Sequence, residues 1–417
     1  MGRRERTPAP ALPAAGDGRA GEDPIGRRIL ELNERVQDVR SQGLYFFNIP
    51  VSELRGGAKV LVDGREMSMF SSYSYLGLLG HPRIDAAARA ALDRFGTGTH
   101  GVRTLAGFLS LHHELEQALA AWKGTDDAIT YSSGYVTNLT TVSSLVGRHD
   151  TVFSDKLNHA SIVDGCLLSG ARFVRFRHND IDELEARLRQ AEPDGARLVV
   201  ADAVFSMDGD IVDLPRLAEV CRQHGAWLMV DEAHSLGVLG ETGRGIEEHF
   251  GMPGAIDIKM GTLSKTIPSV GGYIAGRADL ISYLRHTARA YIFSAALPPP
   301  QAAAALEAVH VIEQEPGRVQ DLRRNSTAFV SGLRQLGLDT LRTQTPIVPI
   351  LCGSDDRAYQ MTRECHRLGV FVTPVVSPAV APGMARLRAT VTAAHTPELI
   401  EAALDVFGRA GRSVGLI

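Results

Sequence analysis

The chain has 417 residues, 44% apolar and 22% charged, with a formal net charge of −4 and a pI near 6.4. That length predicts two or three globular domains, and the near-balanced charge excludes a general drive toward nucleic acid or anionic membranes. No apolar run reaches the roughly eighteen residues of a membrane span, and no signal-peptide core follows the basic start. Cys166, Cys221, Cys352 and Cys365 form no C-x-x-C pair and no zinc spacing. Free thiols in the cytoplasm are the expectation, with no metal.

Residues 1–24 are rich in Ala, Pro, Gly and Arg and poor in large apolar side chains, which predicts a disordered tail. In segment 25–70, Ile25, Ile29, Leu32 and Val36 recur on one face of a charged helix ending near Gly43. Val60–Val62 and Met67–Phe70 then flank Asp63-Gly64 as a small hairpin. Segment 71–298 alternates helix and strand. Helices near 83–95 and 112–122 precede short apolar strands at 127–131, 151–154, 171–175, 197–202, 226–230, 257–261 and 271–275. Strands separated by helices predict an α/β fold with a mostly parallel seven-stranded sheet covered on both faces. Ligands of such sheets bind beyond the carboxyl ends of the strands. After Pro298-Pro-Pro300 a smaller α+β domain is expected over 299–417. It holds an alanine-rich helical region (301–337), strands near 347–351, 370–372 and Leu387, a helix near 356–367 and a closing helix from about 397.

Three motifs point elsewhere and fail on context. Gly96-Thr-Gly-Thr-His-Gly101 matches the dinucleotide pattern G-x-G-x-x-G, but a helix precedes it where that fingerprint needs a strand. It reads as a tight glycine-rich loop. Asp231-Glu-Ala-His234 spells a helicase box, yet the chain has no phosphate loop G-x-x-x-x-G-K-[ST]. His112-His-Glu-Leu-Glu116 has Gln117 where a zincin helix needs its second histidine, so it reads as a helix start with exposed imidazoles.

Chemistry gathers at the predicted strand ends. Asp231 closes the run Ala226–Val230, and Lys265 follows Gly261-Thr262-Leu263-Ser264. A lysine there can form a Schiff base, and an aspartate can keep a pyridine nitrogen protonated. These are the protein's share of pyridoxal phosphate (PLP) chemistry. Taken alone, a lysine after a buried strand is usually a surface residue. The cofactor's other requirements decide. Ser133-Gly134-Tyr135 follows a strand and opens a helix, whose amides favour phosphate. Thr262, three residues before Lys265, is in reach of the same phosphate. His159 begins a helix after a strand, where an imidazole can stack on a ring. Ser206 and His234 can each reach the ring's phenolate oxygen, and a paired N–H⁺ rationalises burying Asp231. Arg386 and Arg388 lie two apart on a predicted strand and share one face, so either can clamp a substrate carboxylate.

With those residues in place, the chain resembles the α-oxoamine synthases, a group within the fold-type I (aspartate-aminotransferase-like) PLP enzymes. The landmarks run from about Phe70 to about Phe407. They include Ser74-Tyr-Leu-Gly-Leu78, Gly98-Thr-His-Gly-Val-Arg103, Ser133-Gly-Tyr135, Asn158-His-Ala-Ser161, Phe205-Ser-Met-Asp-Gly209, Asp231-Glu-Ala-His-Ser235, Thr262-Leu-Ser-Lys265, Ser294-Ala-Ala-Leu-Pro298 and Arg386-Leu-Arg388. The resemblance implies that Lys265 carries the Schiff base, Asp231 pairs with the pyridinium and His159 stacks on the ring, these three being catalytic. It further implies that Ser206 and His234 approach the phenolate, and that Ser133, Gly134, Tyr135 and Thr262 hold the phosphate. Arg388 matches the group's carboxylate-binding arginine. Ser294 belongs to the stretch that reaches a neighbour's phosphate in a homodimer with shared active sites.

The implied reaction is decarboxylative condensation of an amino acid with an acyl thioester, on coenzyme A or an acyl carrier protein, giving an α-amino ketone, CO₂ and free thiol. Rivals on the same fold are an aminotransferase or decarboxylase, or a non-catalytic partner subunit, which would lack the lysine. Tyr73 stands where many members carry Asn, as in serine palmitoyltransferase-like members, and is expected beside the substrate. Ser71–Tyr75 and Thr262–Lys265 look most like members associated with polyketide or lipid pathways. Phe108 and Ala295 replace the usual small and hydroxyl residues, which bears on the acyl pocket and the cross-subunit contact.

Overall fold

The computed structural model describes residues 23–192 and 194–417. The chain divides into two compact units, Met1–Ile49 and Pro50–Ile417. In the first, helix α1 (Pro24–Ser41) is capped by the Asp23 carboxylate, which accepts from the amides of Ile25 and Gly26. Pro24 occupies the first turn, where it has no helical amide to lose. Ile25, Ile29 and Leu32 are exposed. The expected tail lies, up to residue 22, outside the described residues; Asp23 and Pro24 already belong to the helix start.

The second unit opens with β1 (Glu53–Arg55), β2 (Lys59–Val62) and β3 (Arg65–Met69), an antiparallel set in which β2 and β3 turn at Asp63-Gly64. Both turn residues have positive φ, 48° and 73°, the conformation for which Asp-Gly is the usual choice. Helices α2 (Pro82–Phe95) and α3 (Ser110–Lys123) follow. The glycine-rich 96–101 segment leaves α2 with no strand before it. One expectation is corrected at α3, because His112 is fully buried. Its Nδ1 accepts from the Leu109 amide at 3.1 Å and its Nε2 donates to the Leu297 carbonyl at 2.7 Å, so it caps a helix and pins a distant loop.

The central sheet is then laid down strand by strand: β4 (Asp127–Tyr131), α4 (Gly134–Leu145), β5 (Thr151–Asp155), α5 (Ala160–Ser169), β6 (Arg172–Phe176) and α6 (Ile181–Leu188). It continues with β7 (Arg197–Asp202), α7 (Leu214–Gln223), β8 (Trp227–Asp231), α8 (Ile246–Phe250), β9 (Ile258–Ser264) and β10 (Pro268–Gly276). The strand order is β4-β10-β9-β8-β7-β5-β6. All neighbours pair in parallel except β10, which is antiparallel to both β9 and β4. Only Lys265–Ile267 separate β9 from β10, too few residues for the crossover that a parallel neighbour requires. Strand side chains alternate between two cores. Val199 and Ala201 face one with Leu115 of α3 and Leu217 of α7, while Leu198 and Val200 face the other with Val142 of α4 and Ile162 of α5.

Helices α9 (Ala278–Thr287), α10 (Arg289–Ile292) and α11 (Pro299–Gln314) complete these layers, α11 packing on α2, α3 and β10. The expected helical stretch 301–337 breaks at Glu315-Pro316 into α11 and α12 (Gly317–Gln335), because proline cannot continue a helix. Beyond lie β11 (Ile347–Gly353), α13 (Asp355–Arg367), β12 (Val370–Phe371), β13 (Thr373–Val375), β14 (Ala385–Thr390) and α14 (Pro397–Ser413). Strands β11, β14 and β13 form a small antiparallel sheet over a third core with Phe329, Leu387 and Phe407. The strand expected at 370–372 instead joins β3 in parallel as β12, extending the first sheet.

Candidate active site at the carboxyl ends of the sheet

Parallel strands end on one edge, and the loops leaving β4, β5, β7, β8 and β9 meet there. They enclose a cavity of about 270 Å³ lined by Ser133, Gly134, Tyr135, His159, Ser206, Asp231, His234, Thr262 and Lys265. Tyr73 and Arg388 stand beside it. The Lys265 amine is 5.7 Å, and the Arg388 guanidinium 5.0 Å, from the Tyr73 ring centre. Ser294 does not line the cavity; it lies after α10, between the exposed Phe293 and Ala295, which bridges to Val102.

At one end α4 starts against two strands. Ser133 Oγ accepts from the Val136 amide at 3.2 Å, capping the helix. A Cβ on Gly134 would sit 2.9 Å from Thr262 Oγ1, and one on Gly272 would sit 2.8 Å from Gly134 Cα. Only glycine at both positions lets the helix start approach β9 and β10 this closely. The Gly134 and Tyr135 amides of that first turn, with the Thr262 hydroxyl beside them, are arranged as a helix start that can receive an anion.

Asp231 is buried, 5% exposed, and has two donors: the Ala233 amide at 2.8 Å and Asn138 Nδ2 at 2.7 Å. Asn138 was not anticipated; its only signal is its place one turn after Gly134 on α4. Its amide also donates to Ser161 Oγ at 2.9 Å, and Ser161 Oγ lies 2.7 Å from His159 Nδ1. The Ser161 amide donates to the same nitrogen at 3.3 Å, so a neutral His159 carries its proton on Nε2. Burial holds the His159 pKa down, outweighing the pull of Asp231.

A second carboxyl was also missed. Asp202 pairs in register with Asp231 on the neighbouring strand and closes an apolar run just as Asp231 does. Burial, and then Asp231 itself, push its pKa well above the carboxylate range. Asp202 Oδ2 accepts from the His159 amide at 3.1 Å, while Oδ1 has no hydrogen-bond partner. His234 Nδ1 is 2.6 Å from the Tyr75 hydroxyl. Burial raises the Tyr75 phenol to about 12 and drops His234 well below the usual imidazole value, so a protonated phenol donates to a neutral ring. Burial likewise lowers the Lys265 amine, against the opposing pull of Asp231 and Asp202.

The two arginines part company. Arg386 donates to the Asp208 carboxylate at 2.5 Å and to the carbonyls of Met207 and Met384 at 3.2 and 3.0 Å. Arg388 donates to the Ser206 carbonyl at 2.7 Å and to Thr390 Oγ1 at 3.0 Å, but its Nη2 is buried without a partner. A second cavity, about 790 Å³, adjoins the first and shares His159 and Ser206 with it. Phe205, Met207, Pro378, Ala379, Val380 and Met384 supply much of its apolar wall. Among the described residues no group of three or more His, Cys, Asp or Glu is placed to hold a metal, and no helix is long and apolar enough to cross a membrane.

Residues 65–407 match the family described as aminotransferase class I and II. An 8-amino-7-oxononanoate synthase from Symbiobacterium thermophilum is 43% identical over 93% of this chain and 98% of its own length. A serine palmitoyltransferase from Sphingobacterium spiritivorum is 41% identical over 91% of this chain and 95% of its own. Among solved structures, a serine palmitoyltransferase from S. paucimobilis with a bound PLP–myriocin aldimine superposes with a TM-score of 0.92 at 35% identity, covering 95% of this chain and 100% of that one. The chain belongs to the class I and II aminotransferase family and, within it, to the α-oxoamine synthases.

Proposed function

We propose that the protein is a PLP-dependent acyltransferase that condenses an amino acid with an acyl thioester, releasing CO₂ and free thiol and leaving an α-amino ketone. The residues present fit the cofactor: a buried amine, a carboxylate fixed by two donors, an imidazole across the cavity and a helix start at its end. The observation that carries the reading is Lys265 and Asp231 lining one cavity beside an arginine with a spare buried donor. When bound, the cofactor ring draws off the electron pair left at the amino acid's Cα.

Asp231 would hold the proton on the ring nitrogen of the bound cofactor, and the Ala233 and Asn138 donors keep this carboxylate in place. Lys265 is the attachment point and moves the Cα proton; its lowered pKa favours the neutral amine that a base must be. His159 would stack on the ring, and its Nε2 proton would be available to the thioester oxygen or the carboxylate. Arg388 Nη2 takes the amino acid's carboxylate, and Tyr73 packs beside it. Ser206 and His234 serve the phenolate side. Ser133, Gly134, Tyr135 and Thr262 serve the phosphate. The adjoining apolar cavity suits an acyl arm, delivered by coenzyme A or a carrier protein.

We assign the protein to a homodimer in the cytoplasm. Leu105, Phe293 and Phe108 are 82%, 72% and 48% exposed, and Phe293 neighbours Ser294, which then reaches the partner's phosphate. Four buried, unpaired cysteines suit a reducing compartment. A cofactor-binding part over 71–298 and a smaller part over 299–417 remain the proposed working division. The test is a screen of amino acids against acyl-CoA and acyl-carrier donors, following CO₂ and the ketone by mass. Thioester-dependent CO₂ release is expected. Amino-group transfer, or CO₂ release without a thioester, would replace this reading by one of its rivals.

A further inference from the structure

His178 lies outside the cavity's lining, in the loop after the edge strand β6, and both of its ring nitrogens face carboxylates. Nδ1 is 3.0 Å from Asp155 Oδ1, and Nε2 is 2.8 Å from Asp210 Oδ2. Asp155 ends β5, four residues before His159, and also accepts from the amides of Leu157 and Asn179. Asp210 closes the turn that carries Ser206, and its carbonyl accepts from the Phe205 amide at 3.1 Å. The His178 ring stands edge-on to Phe205, 4.3 Å between centroids. Only an imidazolium can donate to acceptors on both sides of the ring. Burial works against that charge, but the hydrogen bonds to Asp155 and Asp210 outweigh it and raise the pKa to about 10.

The turn so clamped is also the seat of both arginines. The Ser206 carbonyl accepts from Arg388 Nε, and Asp208 and the Met207 carbonyl accept from Arg386. It is thus the joint between the central sheet and β14. His178 itself lines neither cavity; its ring packs against Phe205, a wall residue of the second.

We propose that His178 is a positioning residue: bridging Asp155 and Asp210, it locks the Ser206 turn to the His159 loop and so fixes the Arg388 guanidinium that receives the amino acid's carboxylate. This rests on the function proposed above. Asp155 keeps the Leu157 and Asn179 amides without His178, so the His159 loop stays held while the Ser206 turn loosens. A ring kept against Phe205 preserves the acyl wall, and the largest effect therefore falls on amino-acid binding.

The test uses the cofactor-loaded enzyme with His178→Phe, which keeps a ring against Phe205 but no donor, and Asp210→Asn, which removes one charge at the partly exposed end. With the amino acid and thioester that the screen above selects as probes, amino-acid Kd by calorimetry, KM for each, kcat and thermal midpoints with and without cofactor are measured. The expected result is an amino-acid Kd and KM raised about tenfold in His178→Phe and less in Asp210→Asn, with thioester KM within about twofold and kcat lowered by less than the amino-acid Kd is raised. Unchanged amino-acid binding, or a loss of all constants in step with the thermal midpoint, would overturn the proposal. If His178→Phe does not fold, Asp210→Asn decides alone, unchanged amino-acid binding again overturning it. A parent enzyme that binds no cofactor or makes no ketone defeats the underlying function instead, a result separable from the variants.

Discussion

Asn138 donates from its side-chain amide to the buried carboxylate of Asp231 across 2.7 Å, joining the first helix after β4 to the end of β8. The same nitrogen reaches Ser161 and through it His159, so one amide orients groups on both sides of the cavity. Asn138→Leu keeps the branched shape and heavy-atom count and removes both bonds. A hydrogen bond to a charged group is worth about 1.5–3 kcal/mol, so turnover is expected to fall roughly ten- to a hundredfold, with weaker cofactor retention. Steady-state kcat and cofactor Kd check this, and an unaltered kcat would remove Asn138 from the account.

Lys265→Ala is expected to abolish turnover and the visible band of the resting enzyme, and borohydride should no longer fix the cofactor to the chain in a mass spectrum. Asp231→Asn should retain some cofactor yet lose most of the rate, on the order of a hundredfold or more, as expected when a charge-assisted contact at a reacting ring is lost. Full condensation activity in either variant contradicts its role.

The two arginines give a matched pair. Arg388→Lys removes the planar fork with its spare donor and should raise the amino-acid KM about ten- to a hundredfold without moving the thioester KM. Arg386→Lys loosens the Asp208 pair and should appear mainly as a lower thermal midpoint. Equal KM effects from both would contradict the distinction drawn from their partners.

His395 makes stability pH-dependent. Its Nδ1 accepts from the Thr392 amide at 2.9 Å, its Nε2 donates to the Met69 carbonyl at 3.0 Å, and its ring stacks on Phe70 at 4.3 Å. Burial lowers its pKa to about 4, so the folded protein holds the ring neutral. For a base with a depressed folded pKa, this stability is present above the unfolded value of about 6.5 and is lost as pH falls toward the folded one. At about 1.4 kcal/mol per pH unit, the loss approaches about 3 kcal/mol at the acid end. Denaturant midpoints at about pH 7 and about pH 4.5 should diverge more in the parent than in His395→Gln, which cannot titrate. Identical divergence would show that His395 carries none of the acid sensitivity.

Period and punctuation made most of the fold legible in the chain itself. The apolar runs at 127–131, 151–154 and 197–202 became β4, β5 and β7 within a residue, because buried parallel strands read as continuous apolar segments whatever their neighbours. Turn and cap chemistry at Asp63-Gly64 and Ser133 is equally local. Residues 370–372 were harder, since a short apolar run carries no mark of which sheet will pair with it. His112 looked exposed for a similar reason: its partner, the Leu297 carbonyl, is 185 residues away.

By itself the sequence determined that a lysine, an aspartate and a helix start would meet at strand ends, because each follows its own strand and parallel strands end together. Only the tertiary structure decided which polar groups stand opposite one another. Asn138 and Asp231 are 93 residues apart, and Arg386 meets the Asp208 carboxylate whereas Arg388 keeps a buried donor without a partner. Periodicity places a side chain on a face. The partner it finds there depends on packing between elements that no local pattern encodes.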